Sequence, residues 1–236
     1  MRRELTNKIR YIMDECLPPF IRDSKWFMWP FFVLAYKTWD VKRFMNFKAR
    51  AHTMSAEDYS IFYKNLGQSV SRSRTTDLNA KPIDFIINHL DDKGLTLLDV
   101  GSGNGYLLSR LAQKKKWARI CGVDVAQPLD ANKKNIELHT GLLPNLPFED
   151  KEFDVVTCTH VIEHVLDVEG SIRELLRITK RQLFLILPRQ RYYFYTLDEH
   201  LNFYPEIEPL TKFLKNHDYH VSMQDGDWAI SVNIKK

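Results

Sequence analysis

A glycine-rich turn between an apolar strand and a helix is the feature that most constrains how this chain can fold. The segment Asp99-Val100-Gly101-Ser102-Gly103-Asn104-Gly105 ends a predicted strand over residues 96–100 and precedes a predicted helix over 106–115. Glycine allows a positive φ and a close approach of the backbone to a ligand, and the free N–H groups at the start of the helix face that ligand. This order of elements is typical of the first unit of a nucleotide-binding α/β domain.

An acidic residue near the end of the next predicted strand supports this interpretation. That strand covers residues 120–125, follows the helix after Gly105, and carries Asp124 near its end. A carboxylate at this position can accept hydrogen bonds from both hydroxyls of a ribose. The glycine spacing is GxGxG, with Tyr106 at the place of the third glycine of a dinucleotide fingerprint, and Asp99 stands just before the turn. Carboxylates so close to the turn favour a cationic sulfonium ligand over a pyrophosphate.

Strands and helices alternate after the turn, which predicts a parallel sheet with crossover helices. Further strands are predicted over 136–140, 153–159 and 183–187, helices over 168–180 and 208–216, and a final antiparallel hairpin over 219–223 and 228–234. We therefore expect an α/β fold, a Rossmann-like seven-stranded sheet with a helical, aromatic-rich N-terminal extension.

Four segments resemble the class I S-adenosylmethionine-dependent methyltransferases, and within them the small-molecule group called methyltransferase type 11. Residues 97–105 resemble the first motif of that family, Gly122-Val123-Asp124 its ribose-binding acid, 146–156 its loop into the fourth strand, and 160–164 the segment that borders cofactor and substrate. The resemblance covers about residues 95–190. It implies S-adenosyl-L-methionine as cofactor and a small molecule as methyl acceptor, such as a cell-surface glycan, a lipid-linked sugar or a quinone precursor.

The resemblance also implies which residues contact the cofactor. Asp99 is expected at its amino end and Asp124 at its ribose, and the full expected set is Asp99, Gly101, Ser102, Gly103, Gly105, Asp124, Leu142, Leu143 and His160. The family has an acid after the glycine at position 141, where this chain has Leu142, so we expect main-chain groups and packing near Leu142 and Leu143 to hold the adenine. The interval between Asp124 and Gly141 is short, which reduces the usual second helix to a turn around 128–135.

Three histidines are candidates for a general base on an acceptor hydroxyl. His160 and His164 follow the fourth strand at the carboxyl edge, where α/β folds bind ligands, and His200 lies in a polar, aromatic loop after the fifth strand. A histidine in such a position is more often a packing or capping residue than a base. The i, i+4 spacing of His160 and His164 would suit a metal pair, but no third ligand is evident and Glu163 would point away from their shared helix face, so no metal site is predicted.

Residues 1–79 differ in composition from residues 80–236, which we predict to be the S-adenosylmethionine-dependent domain. Residues 1–50 carry 11 Lys and Arg side chains against 5 Asp and Glu, whereas the whole chain has a net charge of +4, and nine aromatic residues lie between positions 26 and 47. Helices are predicted over 2–16, within 26–47 and from Ser55 to Leu66. This region is a lid packed on the domain, a dimer surface, or an interfacial segment whose residues 20–50 rest on an anionic membrane.

Composition excludes several classes of protein. Residues 26–36 form the longest nearly uncharged run, and this run is too short to span a bilayer. The absence of a CxxC pair and of a signal peptide predicts a cytoplasmic protein, or one held peripherally at the inner face of the membrane. No nucleic-acid-binding module accompanies the mildly basic pI of 8.8, so no nucleic-acid partner is expected. The oligomeric state is not predicted.

Two other functions remain open at this point. One is a non-catalytic nucleotide-binding protein with a degenerate methyltransferase fold, which Leu142 and the shortened second helix would suit. The other is an NAD-dependent oxidoreductase, against which Tyr106 argues. The polar segment 72–77 is either a surface connector or a loop that folds over the cofactor.

Overall fold

Seven strands form one mixed sheet in the computed structural model, which describes residues 11–36, 41–65, 76, 78–91, 96–126 and 135–235. The strands are β1 (Thr96–Val100), β2 (Arg119–Asp124), β3 (Glu137–Thr140), β4 (Phe153–Thr159), β5 (Thr179–Pro188), β6 (Asp218–Gln224) and β7 (Asp227–Asn233). Their order is β3-β2-β1-β4-β5-β7-β6. Strands β1 to β5 are parallel, and β7 runs antiparallel to both β5 and β6. The predicted fold class, a Rossmann-like seven-stranded sheet with a helical N-terminal region, is confirmed.

Nine α-helices accompany the sheet in the described part of the chain. They are α1 (Pro19–Arg22), α2 (Lys25–Tyr36), α3 (Val41–Met45), α4 (Phe47–Ala51), α5 (Ala56–Asn65), α6 (Ala80–His89), α7 (Tyr106–Ala112), α8 (Val168–Ile178) and α9 (Glu208–Thr211). A π-helical turn at Ile12–Cys16 and a 3₁₀ turn at Lys212–Leu214 complete them.

The strand order reverses between β1 and β4, and this reversal creates the crevice in which open α/β sheets bind ligands. Val100, the last residue of β1, lies in register with Val123 of β2 and Cys158 of β4. The glycine turn after β1, Asp124 at the end of β2 and His160 after β4 therefore lie at one edge of the sheet.

Alternate residues of the central strands enter two apolar clusters, one on each face of the sheet. Leu98 of β1 and Val156 of β4 belong to the cluster that α8 covers, whereas Leu97 and Val155 belong to the cluster that α6 and α7 cover. All four side chains are fully buried. The near-continuous apolar sequence of these strands follows from burial on both faces.

Element boundaries differ from the prediction where pairing in the sheet decides them. The helix predicted over 168–180 ends at Ile178, because Thr179 starts β5 and pairs with Phe153. Strand β5 is correspondingly longer than the predicted 183–187 and continues to Pro188, which lies opposite Asp227 of β7. The helix predicted over 208–216 has only four α-helical residues before the 3₁₀ turn.

The N-terminal helices α2 to α5 pack together and on the domain through two apolar clusters, the second of them largely aromatic. The first consists of Met28, Phe32, Val41 and Met45, and the second of Phe47, Ala51, Tyr59, Phe62, Tyr63 and the domain residue Leu201. Helix α5 begins as predicted, because the N–H of Asp58 donates to Ser55 Oγ at 3.0 Å. Most of the helix predicted over 2–16, the segment 72–77 apart from Thr76, and the turn predicted around 128–135 apart from Asn135 lie outside the described residues.

Candidate cofactor and acceptor site

The three glycines of the turn adopt backbone conformations that disfavour other residues. Their φ angles are +73° at Gly101, +50° at Gly103 and +70° at Gly105. A Cβ on Gly101 would lie 2.1 Å from Val161 Cγ2, whereas a Cβ on Gly103 would meet nothing within 4 Å. Gly101 is thus required by the fold itself, and Gly103 borders open space in which a ligand can approach the backbone.

Asp124 is held against this turn by main-chain donors. The N–H of Gly103 donates to Asp124 Oδ2 at 2.9 Å, and the N–H of Ala126 donates to Oδ1 at 3.1 Å. Each carboxylate oxygen has a second lone pair, so the pair can still accept hydrogen bonds from two vicinal hydroxyls. The structure thus brings Asp124, the residue predicted to bind the ribose, into direct contact with the glycine turn.

Asp99 is a buried carboxyl two residues before the turn, and its side chain is 2% exposed. The Thr157 hydroxyl donates to Asp99 Oδ1 at 2.7 Å. Burial raises the pKa of Asp99 to about 7, the hydrogen bond from Thr157 lowers it, and the charge of Asp124 raises it. Any effect of Asp99 on a cationic ligand is therefore exerted from inside the sheet.

Ser102 is the buried residue between the first two glycines of the turn. Its buried Oγ has no hydrogen-bond partner in the described residues, and a Cβ added to Gly122 of β2 would lie 2.7 Å from it. The residues predicted to contact the adenine, Leu142 and Leu143, follow Gly141, whose N–H donates to the carbonyl of Asp124 at 3.0 Å. Leu143 is buried in the core of the sheet, and the half-buried Leu142 packs against the second aromatic cluster of the N-terminal helices.

His160 is enclosed by two buried carboxylates. Its Nδ1 lies 3.2 Å from Glu163 Oε1 and its Nε2 lies 3.5 Å from Asp227 Oδ2. Burial lowers the pKa of His160, but the interactions with Asp227 and Glu163 outweigh burial and raise it to about 10. An imidazolium at neutral pH has no lone pair with which to accept a proton, so this environment argues against His160 as a general base.

His164 and His200 come together although they are distant in sequence. Their rings are 4.8 Å apart in an edge-to-face arrangement. His164 Nδ1 lies 3.2 Å from the carbonyl oxygen of Glu199 and 3.2 Å from the hydroxyl of Tyr63, and His200 Nδ1 lies 2.6 Å from Gln190 Oε1. Burial and the charge of His200 lower the pKa of His164 to about 4, which keeps its imidazole neutral at physiological pH.

Glu163 lies beside His164 and His200, whereas the helical interpretation of residues 160–164 placed it away from the histidines. Residues 160–164 form a turn in which His160 has a φ of +53°, so helical spacing does not apply to them. Glu163, His164 and His200 each offer a ligand atom within 4.8 Å of the others, and Cys121, Glu137 and His139 form a second such group. The sequence signal for the first group is the pair Glu163 and His164 shortly after one strand, together with His200 in the loop that follows the next strand.

The N-terminal helices contribute side chains to the same edge, and the sequence did not indicate which side chains these would be. The Tyr36 hydroxyl donates to the carbonyl of Leu197 at 2.8 Å and to the carboxylate of Glu199, and the Tyr59 hydroxyl donates to the carbonyl of His164. Lys48 Nζ donates to the carbonyl of Tyr193 at 2.8 Å. Helices α2, α4 and α5 thereby fix the loop that carries His200 and the turn that carries His164.

Aromatic rings line the loop after β5. Lys48 Nζ lies 3.6 Å from the ring centre of Tyr192 and 4.1 Å from that of Phe203, and Arg22 lies over the ring of Tyr193 at 4.5 Å. Burial lowers the pKa of Lys48 to about 8, and Asp23 opposes that shift. The loop thus presents flat apolar rings beside cations, a surface suited to a planar molecule with polar substituents.

Comparisons with known proteins agree with this geometry. The family model for a methyltransferase domain matches residues 98–187. A ubiquinone biosynthesis O-methyltransferase of Neisseria meningitidis serogroup C is 33% identical over 114 residues, which cover 44% of this chain and 48% of that protein. An uncharacterised methyltransferase of Bacillus subtilis is 29% identical over 94 residues, which cover 36% of each. The chain thus spans about half the length, or less, of the curated relatives it matches.

Solved structures share the fold. Magnesium protoporphyrin IX methyltransferase from Synechocystis, determined with bound S-adenosylmethionine, superposes with a TM-score of 0.55 at 17% identity over 77% of this chain and 100% of that one. A SAM-dependent methyltransferase from Aquifex aeolicus gives a TM-score of 0.52 at 19% identity over 75% of this chain and 98% of that one. The prediction of S-adenosyl-L-methionine as cofactor is confirmed at the level of the family. Residues 98–187 of this chain therefore match a methyltransferase domain, and the sheet has the fold of S-adenosylmethionine-dependent methyltransferases.

Proposed function

We propose that this protein transfers a methyl group from S-adenosylmethionine to a hydroxyl of a small, planar metabolite, a quinone precursor being the class that its aromatic surface suits best. A glycan or a lipid-linked sugar is the alternative acceptor class. One observation carries the proposal: the glycine turn and Asp124 lie at the same sheet edge as His164 and His200. The name of the Neisseria relative supports an oxygen acceptor.

The residues of this chain have distinct tasks in such a transfer. S-adenosylmethionine supplies an electrophilic methyl group on a sulfonium, and the reaction is an in-line displacement that depends chiefly on positioning. Asp124 and the main chain at Gly103 orient the cofactor through its ribose, and the rings of Tyr192 and Phe203 orient the acceptor. His164 and His200 lie close enough to each other to share contact with one acceptor hydroxyl.

We further propose that residues 1–79 act as a cap on a catalytic domain formed by residues 80–236. The hydrogen bonds from Tyr36 and Tyr59 to the acceptor edge support this division. A cap that supplies tyrosines to the site excludes water from it, which strengthens electrostatic interactions inside.

Thermal stability in the presence of two ligands tests the proposed cofactor. We expect about 1 mM S-adenosylhomocysteine to raise the melting temperature by several degrees, because a ligand at about a hundred times its Kd stabilises the folded state by about 2.7 kcal/mol. NADH at the same concentration should leave it unchanged. Stabilisation by NADH alone would indicate an oxidoreductase, and no stabilisation by either would indicate a non-catalytic protein with a degenerate pocket.

The cap also exposes apolar side chains, and we propose that the protein is cytoplasmic and touches the inner membrane face through them. Phe20, Trp26 and Leu34 are 78%, 72% and 81% exposed, in a region rich in basic residues. In the described part of the chain no helix is long and apolar enough to cross a bilayer, so such contact would be peripheral.

Co-sedimentation with anionic phosphatidylglycerol vesicles tests this contact. We expect the double variant Phe20→Ser, Trp26→Ser to pellet several-fold less than the wild type, because each exposed ring loses its apolar burial in the interface. The matched control is Met223→Ser, which removes an exposed apolar side chain of the domain. If the double variant and the wild type pellet equally, the membrane contact is wrong.

A further inference from the structure

We propose that Glu163, His164 and His200 bind a divalent transition-metal ion, with Zn²⁺ as the best match, at the acceptor edge of the sheet. The three side chains come from the turn after β4 and the loop after β5, and their ligand atoms lie within 4.8 Å of one another. In a tetrahedral site with bonds of about 2.1 Å, ligand atoms lie about 3.4 Å apart. Small rotations of the two imidazoles therefore bring the set to bonding distance.

The hydrogen bonds of both histidines leave the same ring nitrogen for a metal. His200 Nδ1 is 2.6 Å from Gln190 Oε1, and His164 Nδ1 is 3.2 Å from the carbonyl oxygen of Glu199. The carbonyl of Glu199 and the side-chain oxygen of Gln190 can only accept, and the Tyr63 hydroxyl, which also lies 3.2 Å from His164 Nδ1, can accept as well. This arrangement places the proton on each Nδ1 and leaves the lone pair on each Nε2. Metal-binding histidines are typically oriented in this way by an acceptor on the second nitrogen.

Glu163 supplies an independent observation. Its side chain is completely buried, and its Oε2 has no hydrogen-bond partner in the described part of the chain. Its Oε1 is the oxygen that pairs with His160. A buried carboxylate oxygen without a partner is costly, and a cation between Glu163 and the two histidines removes that cost.

The donor set indicates the class of metal and its task. Two imidazoles and one carboxylate suit Zn²⁺ or a similar borderline ion better than Mg²⁺. Three protein ligands leave a coordination position open, as in catalytic rather than structural zinc sites. The site lies among the aromatic rings of the acceptor loop, because the rings of His200 and Phe203 belong to the same segment and contact each other.

The consequence for catalysis rests on the proposed function. An acceptor hydroxyl that occupies the open position loses its proton to solvent more readily, because the cation stabilises the oxyanion. The oxyanion then attacks the methyl carbon, the C–O bond forms, and the C–S bond breaks with its electron pair remaining on sulfur, which leaves neutral S-adenosylhomocysteine. With a metal bound, His164 and His200 are ligands, and no histidine needs to act as base.

Calorimetric titration of the chelator-treated full chain with Zn²⁺ tests the site. We expect one ion per chain and a loss of affinity of at least about a hundredfold in His200→Gln. Gln190→Leu, which removes only the acceptor that orients His200, should weaken binding about 10- to 100-fold, and it keeps the test decisive if His200→Gln fails to fold. The matched control is His139→Gln in the second group, which should bind Zn²⁺ like the wild type.

Two outcomes would overturn the metal site. One is a wild type that binds no Zn²⁺, and the other is loss of binding in His139→Gln with retention in His200→Gln. Substitution with Co²⁺ adds a second readout, since a site without cysteine lacks the charge-transfer absorption of a thiolate ligand. Binding of S-adenosylhomocysteine is measured on the same samples. A protein that binds the metal but not S-adenosylhomocysteine would contradict the proposed function and leave the metal site standing.

Discussion

Gly101→Ala is expected to destabilise the protein by about 3 kcal/mol, because a positive φ costs a non-glycine residue about 1–2 kcal/mol and overpacking about 1–3 kcal/mol. The added Cβ would lie 2.1 Å from Val161 Cγ2. Val161 is β-branched and cannot easily turn away, so the turn that carries Glu163 and His164 would have to shift. Urea unfolding followed by circular dichroism measures the loss.

Gly103→Ala is the matched control for this prediction. Its φ of +50° carries a similar backbone cost, but its Cβ would meet no atom within 4 Å. We expect a loss of about 1 kcal/mol in stability, together with a clear loss of affinity for S-adenosylhomocysteine, because the methyl group occupies the space in front of the turn. Equal destabilisation by both substitutions would show that Val161 does not determine the choice of glycine at position 101.

Asp99→Asn is expected to raise the free energy of unfolding at pH 8 by as much as about 4 kcal/mol, at about 1.4 kcal/mol for each pKa unit, and to have little effect on it at pH 4. The pKa of Asp99 is about 7 in the fold, raised chiefly by burial, against about 3.9 in the unfolded chain. Between those values the folded state binds the proton and the unfolded state releases it. The contribution of Asp99 to stability is therefore fully present below about pH 4 and is lost as the pH rises through 7.

Unfolding by urea at pH 4 and pH 8 measures this difference. The asparagine still accepts the hydrogen bond from Thr157, so the comparison isolates the charge. Thr157→Val is the complementary variant: it removes the hydroxyl that donates to Asp99, raises the pKa of Asp99 further and should extend the loss of stability to higher pH. A difference between Asp99→Asn and the wild type that is the same at both pH values would contradict the assignment.

The sheet and the position of the glycine turn beside Asp124 could be predicted because their determinants are local in sequence. The apolar run before Gly101 and the strand ending at Asp124 each define a strand end, and parallel topology then requires the two ends to meet at one edge. The hydrogen bond from the N–H of Gly103 to Asp124 is the direct consequence of that topology.

The acceptor half could not be predicted because its determinants are distant in sequence. His164 meets His200 only because the loop after β5 folds back, where the N–H groups of Leu201 and Asn202 donate to the carbonyl of Glu163. Helical periodicity also misplaced Glu163, since the positive φ of His160 starts a turn. The hydroxyl of Tyr36 contacts a loop near the other end of the chain, a separation about which no local pattern carries information.

Calorimetric titration of the wild type and of Asp124→Asn with S-adenosylhomocysteine tests the cofactor site most directly. The side-chain NH₂ of asparagine cannot accept a hydrogen bond from a ribose hydroxyl as the carboxylate does. We expect one binding site per wild-type chain and an affinity at least about tenfold lower in Asp124→Asn, since one hydrogen bond to a charged group contributes about 1.5–3 kcal/mol. A wild type that does not bind S-adenosylhomocysteine, or equal binding by the two proteins, would contradict a cofactor site built on the glycine turn and Asp124.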